Sequence, residues 1–123
     1  MRYLGIDYGE KRIGLALSDP EGCLAFPHDT VGNIGDVVAA AKREGVGKIV
    51  VGLPISFGGG ESHQAEQIRQ FAAELESRVE LPIVFENEVF TSKIAEKMSP
   101  SEKADASAAA LILQSYLDRQ QVK

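Results

Sequence analysis

Residues 1–19 read MRYLGIDYGEKRIGLALSD, an apolar strand pattern that ends at an aspartate, followed by a polar turn and a second apolar run. The aspartate, Asp7, offers only acceptor oxygens, the ligands that hard divalent cations prefer. Gly9 leaves room for a ligand near the backbone, and Lys11 and Arg12 bring positive charge to the same turn. The stretch predicts a site for metal-assisted phosphate chemistry. The alternative is an ordinary hairpin turn that Asp7 merely caps.

Length and composition are those of one globular domain, which we expect to span residues 1–123. Hydrophobic residues make up 44% of the chain and charged residues 25%, the balance of a soluble protein. The single cysteine, Cys23, excludes a disulfide within the chain and favours a reducing compartment. We find no secretory signal and no apolar stretch long enough to cross a bilayer, so we expect a cytoplasmic protein without a membrane partner.

The formal net charge of −5 disfavours a protein that coats nucleic acid nonspecifically, because neutralisation of phosphates dominates such binding. It does not exclude an enzyme that acts on nucleic acid at one local site. Acidic residues that bind metal lower the formal charge, and the bound cations restore positive charge at the site.

The apolar pattern predicts an α/β fold. The first three predicted strands follow one another closely and indicate an antiparallel meander, whereas later strands alternate with helices and indicate parallel pairing. The predicted strands are Arg2–Asp7, Arg12–Ser18, Cys23–His28, Lys48–Gly52 and Pro82–Glu86. The predicted helices are Ile34–Arg43, Ser62–Arg78, a short Ser92–Met98, and a last helix that starts at a capping box at Ser99 and continues to Asp118.

Three acidic residues follow the ends of predicted core elements or lie early in one. Asp7 ends the first strand, Glu88 comes just after the last strand, and Asp105 lies one to two turns into the last predicted helix. Sites in open α/β sheets gather at the carboxyl ends of strands. Converging carboxylates repel one another unless cations lie between them, so the set predicts Mg²⁺ or Mn²⁺. The alternative is that Glu88 and Asp105 are solvated surface residues.

A glycine-rich loop, Gly52–Gly60, precedes the second predicted helix. Backbone N–H groups of such a loop can bind phosphate, with Gly59 as the candidate contact. Glycine runs are more often simply flexible loops, and no Gly-Lys-Ser/Thr sequence follows this one.

Four segments of the chain together resemble the YqgF family, also called RuvX, of ribonuclease H-like nucleases. They are GIDYGEKRIGLALSD (5–19), IVVGLP with the glycine loop (49–60), NEVFTS (87–92) and DASAAALILQSYLD (105–118). The resemblance implies a ribonuclease H-like, five-stranded mixed sheet with helices on both faces. It also implies phosphodiester hydrolysis with Mg²⁺ or Mn²⁺.

The same resemblance implies roles for individual residues. Asp7, Glu88 and Asp105 would be the catalytic and metal-binding acids, while Lys11 and Arg12 would steady a substrate phosphate. One departure stands out, because the family pattern Asp-Glu-Arg reads Asn87-Glu88-Val89 here. The missing arginine would otherwise pair with a carboxylate or a phosphate, and Lys93 is the candidate replacement for its charge.

The leading hypothesis is an endonuclease that trims the 5′ end of pre-16S rRNA, with pre-ribosomal particles as partners, or that resolves Holliday junctions. A resolvase must cut two strands and favours a homodimer, whereas RNA trimming is compatible with a monomer. A second hypothesis is a nucleic-acid- or ribosome-associated binding module with a degenerate active site. A third is a phosphate-loop protein related to sugar kinases and actin, although 123 residues leave no room for the second domain that such proteins need.

Overall fold

The computed structural model describes residues 1–54, 62–87 and 107–121. These residues form five strands and three helices. The strands are β1 (Tyr3–Tyr8), β2 (Ile13–Ser18), β3 (Ala25–Val31), β4 (Lys48–Leu53) and β5 (Ile83–Asn87). The helices are α1 (Ile34–Arg43), α2 (His63–Val79) and α3 (Ala108–Gln121).

The strands form one mixed sheet in the order β3-β2-β1-β4-β5. Short connections join β1, β2 and β3 in antiparallel pairs. On the other side of β1, β4 pairs with β1 in parallel and β5 pairs with β4 in parallel. Parallel neighbours need long crossovers, and α1 and α2 lie in the connections that lead to β4 and β5. The predicted α/β fold with an antiparallel meander followed by parallel strands is confirmed.

The two faces of the sheet carry separate hydrophobic cores, as a sheet with helices on both sides requires. Side chains alternate along β1, so Leu4 and Ile6 pack with α1 and α2 on one face. Gly5 lies on the other face, against α3. On β4, Val50 belongs to the α3 core and its neighbours Ile49 and Val51 to the core under α1 and α2. Burial on both faces explains the continuous apolar run of this strand.

Strand β3 lies further along the chain than the predicted Cys23–His28. The Asp19 carboxylate accepts hydrogen bonds from the backbone N–H groups of Cys23 (2.7 Å) and Leu24 (2.8 Å). These bonds hold both residues in the turn, so that pairing with β2 begins at Ala25.

The last helix begins later than predicted. The prediction of one helix from Ser99 is wrong, because α3 begins at Ala108 and the Ser107 hydroxyl caps it by accepting the N–H of Ala110 at 3.0 Å. Asp105 therefore precedes the helix and is not part of it. Asn33 caps α1, and Ser62, predicted as the first residue of the second helix, is instead the cap of α2, which begins at His63. Ser99 and the predicted helix Ser92–Met98 lie outside the described residues.

Within the described ranges, no helix has the length and apolar character needed to span a membrane.

Candidate active site

Asp7 lies one residue before the end of β1, on the side of the sheet that α3 covers. It pairs with Gly14 on β2. A Cβ atom built on Gly14 would lie 3.7 Å from the Asp7 Cβ and 3.8 Å from the Ala109 Cβ. Asp7, Gly14 and the first turn of α3 therefore lie next to one another.

The Asp7 side chain is half-buried, and burial raises the pKa of its carboxyl above the ordinary value of 3.8. Loss of hydration disfavours the charged form, and none of the described residues donates a hydrogen bond or pairs an ion with this carboxylate. A partly desolvated acceptor without a counter-charge is a suitable ligand for a divalent cation. The described part of the site therefore fits the predicted metal.

Gly5 explains how α3 comes so close to Asp7. A Cβ built on Gly5 would lie 2.7 Å from the Leu113 Cβ and 2.9 Å from the carbonyl oxygen of Ala109. Only a residue without a side chain allows this approach of the helix backbone to β1. The result is that the first turn of α3 lies beside the end of β1.

The turn after β1 presents its two cations to solvent. Lys11 and Arg12 are exposed, and neither forms an ion pair with another residue in the described ranges. Gly9 also has a structural role, because a Cβ there would lie 2.8 Å from the Arg12 carbonyl oxygen. The tight turn itself thus requires the glycine. Glu10 accepts a hydrogen bond from Gln67 of α2 at 3.2 Å, which ties the turn to that helix.

Four of the predicted site residues lie outside the described residues: Glu88, Asp105, Gly59 and Lys93. The structure brings Asp7, the cationic turn and the start of α3 together. It describes the chain neighbours of the two remaining acids, since Asn87 at the end of β5 directly precedes Glu88 and Ser107 follows Asp105 by two residues.

Glu86 is a carboxylate that the sequence pattern did not mark as part of a site. Its side chain is fully buried, with 0% exposure, between β5 and α3. The Ser115 hydroxyl donates to one carboxylate oxygen at 2.7 Å, and the Arg119 guanidinium pairs with the other. The available signal was alternation, which places Val84 and Glu86 on the opposite side of β5 from Ile83 and Phe85.

A second acidic group lies at the turn after β2. One potential ligand atom from each of Asp19, Glu21 and Cys23 lies within 4.8 Å of the others. Hydrogen bonds from the backbone N–H groups of Leu24 and Cys23 lower the pKa of Asp19. These hydrogen bonds belong to the turn, and the turn by itself explains why the three residues lie close together. The adjacent Ser18 accepts the N–H of Tyr3 at the start of β1, so the group lies at the opposite end of that strand from Asp7.

A groove of about 400 Å³ lies on the other face of the sheet, between the β1–β2 turn, α1 and α2. Its lining includes Tyr8, Asn33, Gln67 and Phe71. Tyr8 follows Asp7 and points to the opposite side, where its ring lies 4.5 Å from that of Phe71. The groove is therefore separate from the carboxylate of Asp7.

Sequence comparison finds a family and close relatives along nearly the whole chain. The family model described as "RuvX: Holliday junction resolvase" matches residues 1–119. A protein of Maridesulfovibrio salexigens named "Putative pre-16S rRNA nuclease" is 37% identical, and the match covers 97% of this chain and 99% of the relative. A protein of the same name from Syntrophus aciditrophicus is 40% identical, with 96% and 89% covered.

Structure comparison finds the same fold in a more distant protein. Thermus thermophilus RuvC, solved in complex with a Holliday junction substrate, aligns with a TM-score of 0.64 at 16% sequence identity. The alignment covers 98% of this chain and 97% of RuvC. The likeness shows a shared ribonuclease H-like fold, in agreement with the predicted fold class.

Proposed function

Because the chain belongs to the RuvX family, we propose that it is a metal-dependent endonuclease that hydrolyses phosphodiester bonds in structured nucleic acid. The observation that carries the proposal is the position of Asp7. It is a half-buried carboxylate at the end of a core strand, it has no counter-charge among the described residues, and the start of α3 lies beside it. Such a group lowers stability unless it binds a cation, which supports a functional role.

We propose Asp7, Glu88 and Asp105 as the ligands of Mg²⁺ or Mn²⁺. Chain connectivity supports the set, because neighbouring Cα atoms are about 3.8 Å apart. Glu88 is one such step from Asn87 at the end of β5, and Asp105 is two steps from Ser107 at the start of α3. A bound divalent cation would activate water for attack and stabilise the charge that develops on the phosphate. The carboxylates would hold it and orient the water.

Positive charge for the substrate comes from the β1–β2 turn in this proposal. Lys11 and Arg12 lie in the short turn between β1, which carries Asp7, and β2, which carries Gly14 opposite Asp7. Lys11 and Arg12 would each hold a phosphate oxygen near the scissile bond. Gly59 and Lys93 are further proposed contacts, through a backbone N–H and an ammonium group.

The proposed substrate is the 5′ end of pre-16S rRNA, with pre-ribosomal particles as partners and the cytoplasm as location. The names of the relatives support this choice. The description of the family model supports Holliday junction DNA as the second candidate. The two candidates differ in the oligomeric state they favour, since paired cuts in a junction favour a homodimer whereas a cut in RNA is compatible with a monomer.

A binding module with a degenerate active site is the alternative function. The observation in its favour is Val89, together with Asn87, where the family pattern has arginine and aspartate. Loss of a cation beside the catalytic acid would weaken phosphate binding at that position.

The test is cleavage of labelled 16S precursor RNA and of a four-way DNA junction, each in Mn²⁺, Mg²⁺ or EDTA. Asp7→Asn is the test variant, and Asp36→Asn is its control, because Asp36 is an exposed aspartate in the first turn of α1. We expect cutting that requires metal and that falls at least about 100-fold in Asp7→Asn only.

The outcomes separate the candidates. Cutting of one substrate identifies RNA or DNA. Normal cutting by Asp7→Asn rejects the proposed site. Tight RNA binding without cutting by wild type favours the binding module, and Val89→Arg then tests whether the missing cation explains the inactivity.

A further inference from the structure

We infer that Glu86 and Arg119 form a positioning pair that holds α3 in register with β5 and thereby sets the affinity of the site for its divalent cation. The inference deepens the proposed function and rests on it. Glu86 and Arg119 would not touch the metal or the substrate. They would act through the two chain segments that carry Glu88 and Asp105.

Glu86 carries a buried charge, and each of its two carboxylate oxygens has a partner on α3. Glu86 is 0% exposed, whereas the Arg119 side chain is 50% exposed. One carboxylate oxygen accepts from Ser115 at 2.7 Å and the other pairs with Arg119. Ser115 and Arg119 are four residues apart, so that one face of α3 supplies both partners. Buried ion pairs are poor sources of stability compared with apolar residues of the same size, whereas their geometry can select one register.

Strand register relates Glu86 to Asp7. Glu86 lies opposite Gly52 on β4, and Ile6 lies opposite Val51, so the next residue in that register places Asp7 beside Gly52. With neighbouring strands about 4.8 Å apart, the Cα atoms of Asp7 and Glu86 are roughly 10 Å apart.

Asp7, Gly52 and Glu86, side by side on β1, β4 and β5, also lie on the same face of the sheet. Val50 belongs to the α3 core, and Gly52 follows it by two residues on the same side of β4. Gly52, the β4 residue between Asp7 and Glu86 in this register, has no side chain.

Besides the apolar core under α3, the described residues include three contacts of this helix that differ in the part of the sheet they hold. Gly5 admits the helix to β1. Gln114 binds the β2–β3 turn, accepting from the Ala25 N–H at 2.9 Å and donating to the Cys23 carbonyl at 3.1 Å. Glu86 provides a charged contact to β5, the strand that leads to Glu88. Without the charged pair, the helix and the strand end would be free to move apart.

The experiment compares variants of two contacts of α3: the contact of Ser115 and Arg119 with Glu86, here called the β5 anchor, and the contact of Gln114 with the β2–β3 turn, here called the β2–β3 anchor. Glu86→Gln and the double variant Glu86→Gln/Arg119→Gln remove the β5 anchor, and the double variant leaves no unpaired buried charge. Gln114→Ala removes the β2–β3 anchor and is the matched control. The measurement is the dissociation constant of Mn²⁺ by titration calorimetry, well below the unfolding midpoint of every variant, with cleavage kinetics as a second readout.

We expect both β5-anchor variants to bind Mn²⁺ about 10-fold more weakly, as is usual when hydrogen bonds that support metal ligands are removed. The Mn²⁺ concentration for half-maximal cleavage should rise in parallel. Gln114→Ala should bind Mn²⁺ like wild type although its unfolding midpoint falls. Arg119→Lys keeps a positive charge opposite Glu86 and should retain most of the affinity that the double variant loses.

Other outcomes contradict the inference. Wild-type Mn²⁺ affinity in the double variant would show that the pair does not position the site, and equal weakening in Gln114→Ala would show a general effect of loosening α3. Failure of the proposed function is distinguishable. Wild-type protein that binds Mn²⁺ but cuts neither substrate rejects the nuclease, while the affinities still decide the role of Glu86. Wild-type protein that binds no Mn²⁺ contradicts both.

Discussion

The environment of Asp7 disfavours the charged form of its carboxyl group. The pKa of its carboxyl is raised by burial, and the described residues offer no compensating donor. Natural sequences keep such local conflicts mainly where function needs them. The neighbouring cations, Lys11 and Arg12, are exposed and therefore available to a ligand.

The raised pKa of Asp7 predicts how stability without metal depends on pH. The folded protein binds a proton at this carboxyl more tightly than the unfolded chain does. That contribution to stability is fully present below the unfolded pKa, near 3.8, and is lost as the pH rises through the folded pKa. In EDTA at pH 7, Asp7→Asn should therefore unfold at a higher temperature than wild type, and the difference should shrink below about pH 4. A lower midpoint at pH 7 would contradict the burial argument.

Removal of the turn cations should weaken substrate binding and its salt dependence. In Lys11→Gln/Arg12→Gln, the slope of log K against log salt should decrease by roughly 0.7 to 0.9 for each phosphate that the protein no longer neutralises. Lys42→Gln, an exposed lysine in the last turn of α1, is the control and should keep the wild-type slope. Binding measured by fluorescence anisotropy at several salt concentrations tests this. An unchanged slope would place the substrate away from the turn.

The residues of the site were predictable from sequence to different degrees. Asp7 stood out because a strand ended at a carboxylate beside a glycine turn, and the structure places it beside α3. Glu86 did not stand out, because a glutamate at the end of a predicted strand is usually solvated. Its burial depends on Ser115 and Arg119, which follow it by 29 and 33 residues.

Among the elements, α3 decides the geometry of the site. Its sequence predicted a helix, and the structure shifts the beginning to Ala108. The capping box at Ser99 was the stronger local signal, yet Ser107 caps α3 without a glutamate at the matching position. Asp105 precedes the first helical residue, Ala108, by three positions in the chain and lies outside the described residues.

The close approach of α3 to β1 predicts a penalty for any side chain at position 5. In Gly5→Ala, the new methyl group would lie 2.7 Å from the Leu113 Cβ, so the helix must move outward. We expect the free energy of unfolding to fall by about 1–3 kcal/mol and cleavage to fall with it. Gly32→Ala is the control, because its Cβ would meet no described atom within 4 Å. Denaturant unfolding of both variants measures this free energy. Equal stability of the two variants would contradict the packing argument.

For the whole molecule, a metal that binds only the folded state should stabilise it. At about 100 times its dissociation constant, Mn²⁺ would add about 2.7 kcal/mol, or roughly 10 °C in the unfolding midpoint of a domain of this size. The shift should disappear in Asp7→Asn. Differential scanning fluorimetry with and without Mn²⁺ measures it. An equal shift in Asp7→Asn would place the ion elsewhere, and Asp19→Asn would then test the group at the turn after β2.

By itself, the sequence determined the order and type of the elements within the described residues, the mixed sheet and the family, and it singled out Asp7 with its cationic turn as the candidate site. These follow from local signals: apolar alternation, helix caps, glycine turns and motifs whose residues are close in the chain. Only the tertiary structure decided the start of α3, the contact of that helix with Gly5 and the burial of Glu86. Each of these depends on atoms from distant segments that meet once the sheet has formed, and no local pattern encodes their distance.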